Sequence, residues 1–464
     1  MTSRFDSIVI GAGQAGPTLS SRLVSAGEKV ALIEKGWLGG TCVNVGCTPT
    51  KALVANARAI QQTRRGEEMG FSISGDVAIN MTRIKARTQE IVLKSRSGLE
   101  KWLGEMEHLT LLKGTASFVS SHTLQVNGET YEADKIFLNV GARPTIPNLI
   151  GVDSVPYLTS TTILDLDIVP EHLAVVGGSY VGLEFAQIFR RLGAKVTVVE
   201  RGSRLVSHED PDVSDAVAKV IASEGIDPRL DAECIRLDRA NPGQADGKIL
   251  VHVSCKTDPP FVEASHVLLA VGRTPNNDLL ALDKAGIQLD AHGYIQVDDQ
   301  LRTNVSGIWA LGDCNGHGAF THTSYNDYEI VAANLLDGDS RRLSDRIPAH
   351  ALYIDPPLAQ IGMTEEQVRE TGKPALIGTR AMTRVARATE RGETQGFIKI
   401  LVDKESQLIL GASILGTEAD EAIHCILTAM YARKPVSLLQ RSVHIHPTVA
   451  ELIPTTAQDL KPLQ

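Results

Sequence analysis

Residues 5–16 read Phe5-Asp6-Ser7-Ile8-Val9-Ile10-Gly11-Ala12-Gly13-Gln14-Ala15-Gly16. The stretch Phe5 to Ile10 predicts a short buried strand, and the glycines follow at once. Residues 17–26 read as a helix, and Lys29-Val30-Ala31-Leu32-Ile33 as the next strand, ending at Glu34. Strand, Gly-x-Gly-x-x-Gly turn, helix and strand in this order form a βαβ unit with the dinucleotide fingerprint. Gly11 permits the tight turn, Gly13 lets a pyrophosphate approach the backbone, and Gly16 lets helix and strand pack closely. Glu34 stands 23 residues after Gly11, where a carboxylate can accept from a ribose hydroxyl.

The pattern recurs. Leu173-Ala174-Val175-Val176 reads as a strand and is followed by Gly177-Gly178-Ser179-Tyr180-Val181-Gly182. A helix is expected to about Leu192, then a strand Val196-Thr197-Val198-Val199 closed by Glu200, again 23 residues after the first glycine. Two such units imply two dinucleotides and an α/β fold. Ser179 replaces the middle glycine, and its small side chain should still admit a phosphate.

Between the second strand of the first unit and the next helix lies Gly39-Gly40-Thr41-Cys42-Val43-Asn44-Val45-Gly46-Cys47-Thr48-Pro49-Thr50-Lys51. Pro49 suits a first helical turn, and the following Lys51-Ala52-Leu53-Val54-Ala55 continues with good helix formers. Cys47 is therefore expected near a helix N-terminus, where free N–H groups stabilise a thiolate. On spacing alone, two buried loop cysteines and a redox-active pair both remain open.

A length of 464 residues suggests two to four domains. With 43% hydrophobic and 22% charged residues the chain reads as an ordinary globular protein. A net charge of −9 argues against a nucleic-acid face, which would be basic. Six cysteines, at 42, 47, 234, 255, 314 and 425, are too sparse for a secreted disulfide scaffold. With no signal peptide legible and no apolar run of membrane-spanning length, a cytoplasmic protein without a membrane segment is expected.

The signature Gly-Gly-Thr-Cys-Val-Asn-Val-Gly-Cys-x-Pro-x-Lys resembles the active-site segment of the flavin-dependent pyridine nucleotide–disulfide oxidoreductases, and the resemblance runs from about residue 5 to about residue 455. It implies two Rossmann-type domains, for FAD and for NAD(P), plus a C-terminal α+β dimerisation domain. The implied segments are 1–148 and 276–343 for FAD, 149–275 for the nicotinamide dinucleotide and 344–464 for dimerisation. Ile136 to Pro144 resembles the exit from the flavin domain, and Val267 to Asn276, with Gly272, the close of the nicotinamide domain.

The same resemblance implies roles. Cys42 and Cys47 form the redox disulfide, with Cys47 on the flavin side. Lys51 stands beside the flavin with Glu184 as its ion-pair partner, and Tyr180 covers the nicotinamide pocket. Gly312-Asp313 resembles the second flavin motif, whose aspartate takes a ribityl hydroxyl. His446 and Glu451, in His-Pro-Thr-x-x-Glu, are the acid–base pair that one subunit supplies to its partner in a homodimer, with His444 supporting. Glu200 favours NADH, while Arg201 and Arg204 keep NADPH open; Ser207 occupies the position of a second phosphate-binding arginine. Cys314 reads as structural, His317 and His322 as loop histidines near the flavin phosphates, and no resident metal site is expected. Residues 78–107, with Trp102, read as a surface or interface helix without chemistry; Thr364 to Gln367 as a capping-box helix start; and 419–432 as one helix.

Gly312 to Thr321 and Asp355 to Gln367 resemble the mercuric-reductase-like branch, with its copper-reducing flavoproteins. The implied substrate is a metal ion or a small disulfide. No Cys-x-x-Cys pair precedes the first fingerprint, and Leu460 to Gln464 carries no cysteine. Soft Hg(II) needs thiolates, so Cys42 and Cys47 are expected to meet it alone. Dihydrolipoamide dehydrogenase is the alternative reading, and a low-turnover redox-sensing flavoprotein a third.

Overall fold

The computed structural model describes residues 2–232, 235–241, 247–253 and 260–463, so Cys234 and Cys255 lie outside the described residues. The α/β architecture with two dinucleotide folds and an α+β C-terminal region is present. The chain forms two compact units. One comprises Met1–Ala52, Arg83–Thr145 and Gly272–Arg346; the other comprises Leu53–Thr82, Ile146–Val271 and Ile347–Gln464.

The first unit carries β1 (Thr2–Ile10), β2 (Val30–Glu34), β3 (Leu109–Lys113), β4 (Ala116–Ser120), β5 (Thr123–Val126) and β6 (Glu129–Leu138). Their order in the sheet is β3-β2-β1-β6-β5-β4, with Ile308–Ala310 against the end of β6. The strands β3, β2, β1, β6 and Ile308–Ala310 are parallel, whereas β4, β5 and β6 form antiparallel hairpins. Strand alternation sends Ile8, Ile10, Ile33, Ile136 and Leu138 to one apolar layer and Val9, Leu32 and Phe137 to the other. Both faces are buried, which explains why these strands read as continuous apolar runs. Helix α1 (Gly16–Ser25) covers the second layer through Leu19 and Leu23, both 0% exposed. Each such burial contributes roughly 1.5–3 kcal/mol. Helices α2 (Gly40–Val45), α3 (Cys47–Arg64) and α4 (Met81–Gly104) follow; the helix expected over 78–107 is shorter at both ends.

Ala142–Pro144 pairs antiparallel with Arg273–Pro275, so the segments expected to leave and re-join the flavin domain lie side by side.

In the second unit a parallel sheet runs Asp227–Arg229, Lys195–Val199, His172–Val176, His266–Leu269, Leu158–Thr159. Helix α5 (Tyr180–Leu192) follows the second glycine turn, and α6 (Pro211–Ser223) starts at a proline. Arg236–Arg239, Ile249–His252 and Phe261–Ala264 form an antiparallel meander. The C-terminal region is a six-stranded antiparallel sheet containing Ala349–Leu352, Leu358–Gly362, Ile409–Leu415, Phe397–Asp403, Ala375–Ala381 and Lys461–Pro462. The capping box is present: Gln367 N donates to Thr364 Oγ1 at 3.2 Å, and Thr364 N to Gln367 Oε1 at 3.0 Å. The stretch 419–432 divides at Ile423 into Ala419–Ala422 and His424–Tyr431, where Ile426 N turns back to Ile423 O. Among the described residues no helix is long and apolar enough to cross a membrane.

Candidate active site

The first glycine turn is held by its neighbours before any nucleotide is considered. Gly11 has φ +103°, and a Cβ there would lie 2.2 Å from Asn139 O. A Cβ on Gly16 would lie 2.1 Å from Gly11 O. Both positions therefore demand glycine, for chirality at the first and helix–strand contact at the second. Glu34 clamps the turn: its Oε2 accepts from Ala12 N and its Oε1 from Gly36 N, each at 2.7 Å. Gly11, Gly13, Glu34, Gly40, Thr41, Asn139 and Asn276 line a cavity of about 350 Å³ that lies wholly within the first unit. A Cβ on Gly40 would come within 2.8 Å of Gly13 Cα. A bare backbone cradle at a helix N-terminus with a carboxylate at the ribose position fits the pyrophosphate and adenosine parts of FAD.

The second turn repeats the design. Gly177 has φ +115°, with a Cβ 2.3 Å from Ala270 O, and a Cβ on Gly182 would lie 2.1 Å from Gly177 O. Glu200 Oε2 accepts from Gly178 N at 2.6 Å, and Oε1 from Gly202 N at 2.7 Å. Ser179 has φ −103°, extended backbone open to any residue, so the departure from glycine costs no strain. This cradle fits a second dinucleotide. Arg201, Arg204 and Ser207 are exposed on the loop behind Glu200. Gly272 adopts φ +119°.

Cys42 lies on α2 and Cys47 is the first residue of α3, with Gly46 as the hinge between the helices. A Cβ on Gly46 would lie 2.8 Å from Thr41 O, so the two helical turns fold back on each other only around glycine. Both cysteines are thiols, and Cys47 Sγ lies 3.4 Å from Thr321 Oγ1. The Cys42 thiol is pushed well above the ordinary range, first by its hydrogen bond to Cys47, then by burial and by charge on Cys47, while Thr321 and Lys51 work the other way. Lys51 occupies the second turn of α3.

Gly312 and Asp313 end the strand Ile308–Ala310 as expected. Burial raises the Asp313 carboxyl, against the pull of Arg273, whose Nε lies 3.3 Å from Oδ2. Buried Asp327 shapes this turn, accepting from Gly312 N at 2.7 Å and Asn315 Nδ2 at 3.0 Å. Cys314 is fully buried and bonds to backbone carbonyls, its thiol pushed up to about 12 by burial; this is a structural cysteine. His322 is not a loop residue: it lies in the first turn of helix Thr321–Leu336, its ring stacked on Phe320. His317 is in the loop ahead of it.

In the second unit His446 Nδ1 bonds Glu451 Oε2 at 2.7 Å, with the histidine side chain 75% exposed and the glutamate 11%. His444 Nδ1 lies 2.7 Å from Ala450 O. Glu184 is buried in α5 and accepts from Tyr353 N at 3.0 Å. Tyr180 is the first residue of α5, its hydroxyl donating to Glu209. Asp210, Asp212 and Glu365 converge as a metal site would, but Lys399 Nζ sits among them at 2.8, 2.8 and 3.3 Å.

Sequence reasoning missed Asn139, Asp327, Thr321, Glu209 and His350. Asn139 ties Gly16 N and Leu311 O together at 3.1 and 3.0 Å, joining the two flavin-side turns. Its signal was a polar residue closing the apolar strand Ile136-Phe137-Leu138.

The family profile described as pyridine nucleotide-disulphide oxidoreductase matches residues 5–328, and that of its dimerisation domain matches 348–457. A probable pyridine nucleotide-disulfide oxidoreductase, RclA, of Escherichia coli is 34% identical, covering 97% of this chain and 98% of its own. The dihydrolipoyl dehydrogenase of Geobacillus stearothermophilus is 31% identical over 98% and 95%, and the mercuric reductase of Bacillus cereus 31% over 96% and 70%. The solved Cu(II) complex of the HOCl-induced flavoprotein disulfide reductase RclA superposes with a TM-score of 0.88 at 33% identity, covering 98% of this chain and 99% of that one. With both cradles, the Cys-x4-Cys helix pair and these matches in place, the chain belongs to the pyridine nucleotide–disulfide oxidoreductases, flavoproteins that use FAD and NAD(P)H.

Proposed function

We propose that this protein carries electrons from a nicotinamide dinucleotide to the Cys42–Cys47 pair and on to a metal ion or small disulfide, as in the mercuric-reductase-like branch. One observation carries the reading: two thiols hydrogen-bonded across a glycine hinge, one heading a helix, on a segment whose Gly40, Thr41, Asn44 and Val45 line the nucleotide cavity. When bound, FAD supplies the two-electron relay between NAD(P)H and sulfur.

Gly11, Gly13, Gly16, Glu34, Gly312 and Asp313 would hold FAD, with Lys51 as the cation that stabilises negative charge near it and Glu184 as that lysine's partner. Gly177, Gly178, Tyr180, Gly182, Glu200, Arg201 and Gly272 would hold the nicotinamide dinucleotide. Glu200 favours NADH, because a 2′-phosphate would meet a carboxylate. The four segments 1–148, 149–275, 276–343 and 344–464 would divide these tasks. A cytoplasmic location would keep the pair reducible.

The chain's own sulfur chemistry follows. The Cys42 thiolate attacks one sulfur of an oxidised substrate, and the leaving sulfur takes a proton. The Cys47 thiolate then attacks the Cys42 sulfur, closing the disulfide and expelling the second thiol. Because hydrogen bonding holds the proton on Cys42, this thiol needs a base. The partner subunit's His446 would serve in a homodimer: Glu451 occupies Nδ1, so Nε2 is the atom that takes and returns the proton. Toward a soft metal ion both thiolates act as ligands. The RclA structure solved with Cu(II) supports the metal reading; the identity to a dihydrolipoyl dehydrogenase and the acid at Glu200 favour the lipoamide alternative.

Anaerobic titration with NADH and with NADPH tests the core of the reading. A thiolate-to-flavin charge-transfer band should grow in the parent protein. Full turnover in Cys42→Ser would refute the mechanism. Rates on Cu(II), Hg(II) and dihydrolipoamide then separate the substrate classes; slow flavin reduction by both nucleotides would favour the sensor.

A further inference from the structure

Tyr180 follows directly on the Gly177–Ser179 turn, and its hydroxyl is tied down. It donates to Glu209 Oε1 at 2.5 Å; His350 Nε2 lies 2.6 Å from the same oxygen and 3.0 Å from Tyr180 Oη. The tyrosine and histidine rings stand 5.4 Å apart, tilted by 47°. The phenol has one proton, and it goes to the carboxylate. A 2.6 Å contact to that same acceptor oxygen is a hydrogen bond only if His350 carries a proton on Nε2, so both rings donate to one atom.

Glu209 is a firm anchor. Its side chain is 1% exposed, against 21% for His350. Its backbone N bonds Val206 O at 2.8 Å. The next residue, Asp210, is pinned by Lys399 Nζ and by the N–H groups of Glu365 and Glu366 at 2.9 and 3.2 Å. Oε2 of Glu209 is buried without a protein partner among the described residues, so its side chain has no competing anchor there. The phenol itself is pushed above its ordinary range by burial and then by Glu209, and stays a donor.

We propose that Glu209 and His350 are positioning residues for Tyr180, fixing its ring at the head of the nucleotide-binding helix so that a nicotinamide meets a preformed wall. The proposal rests on the reading of Tyr180 as a nicotinamide-side residue. It deepens that reading with two residues about 30 and 170 positions away in sequence.

The test is anaerobic stopped-flow reduction of the holoenzyme flavin by NADH, which separates apparent Kd from limiting rate. Tyr180→Phe, His350→Ala and Glu209→Gln should each raise the apparent Kd about threefold to tenfold, the worth of one net hydrogen bond. The double variant Tyr180→Phe/His350→Ala should be no worse than the larger single, because both remove one tether. His350→Gln, which keeps a donor, should recover most of the loss. Flavin content and thiol titre after dithiothreitol should match the parent in every variant. Additive losses, or a parental Kd in His350→Ala alongside a shifted one in Tyr180→Phe, would overturn the tether. A parental Kd and rate in Tyr180→Ala would instead overturn the placement of Tyr180, and the tether with it.

Discussion

Replacing Lys399 with methionine asks whether a buried ammonium holds the region around Glu209 and Asp210 in place. Lys399 is 0% exposed, and its side chain and that of Asp210 are each 1% exposed. Removing the cation leaves Asp210 buried with, among the described residues, two backbone N–H partners, at 2.9 and 3.2 Å. Breaking such a pair from one side costs about 3–5 kcal/mol. Lysine and methionine have similar length, so lost packing adds little. For a unit of this size that corresponds to a fall in melting temperature on the order of 5–15 °C. Adding Asp210→Asn to the Lys399→Met variant removes the stranded charge and should recover about half of the loss. Glu365→Gln, at 3.3 Å and 21% exposed, should cost about 0.5–1 kcal/mol. The sign with pH follows. Burial works to raise the Asp210 carboxyl, but Lys399 and the backbone donors outweigh it, so its folded value is depressed. Its stabilisation is present above the ordinary carboxylate range and disappears as pH falls through the folded value. For Lys399, burial opposes the charge and the carboxylates win, so its folded value is raised and its contribution fades as pH rises through that value. Scanning calorimetry of the holoenzyme across pH reads all of this. A Lys399→Met protein as stable as the parent at neutral pH, or one whose deficit persists unchanged in acid, would refute the reasoning.

Further outcomes are expected. In the reduced holoenzyme, brief iodoacetamide treatment near pH 7 followed by peptide mass spectrometry should label Cys42, the substrate-side thiol served by the partner's His446, ahead of Cys47, which would face the flavin; preferential labelling of Cys47 would reverse the assignment. Gly182→Ala brings a methyl to 2.1 Å from Gly177 O and should abolish flavin reduction by NADH while leaving flavin bound, whereas Gly16→Ala, with the matching clash at Gly11 O, should yield protein depleted of flavin. Absorbance at flavin wavelengths checks both. Co-expressing Cys42→Ser and His446→Gln chains should restore about a quarter of parental turnover, one complete site in each mixed dimer. Each variant alone should fall by about a hundredfold or more, and no recovery on mixing would place His446 on its own chain's site.

The glycine turns were legible because their constraints are local. Gly16 is fixed by Gly11 O within one βαβ unit and Gly11 by the positive φ of the turn itself, and the same spacing reappears at Gly177 and Gly182; the carbonyls of Asn139 and Ala270 that close over Gly11 and Gly177 come from far along the chain. The helix carrying Cys47 was legible for the same reason, through Pro49 and the helix formers behind it. The separate turn carrying Cys42 was not, since nothing in Thr41 to Val45 announces a six-residue helix closed by Gly46. Asn139 and the Glu209–His350 pair act across long sequence separations, so their partners become apparent only once the strands are in register. The break at Ile423 has a similar origin: the stretch has good helical composition, but its bonding resets midway. His322 was misplaced because Gly316 and Gly318 suggest a loop that in fact ends at Phe320.

The clamp that Glu34 and Glu200 place on their own turns has a consequence for ligand loading. Each carboxylate bridges two amides of its own loop, which braces the loop from within. Docking a nucleotide then freezes little additional backbone, and most of the contact energy is retained as affinity. Stripped of its pigment, the polypeptide should therefore resist proteases at both loops and recolour rapidly, with a single kinetic phase, when the pigment is returned.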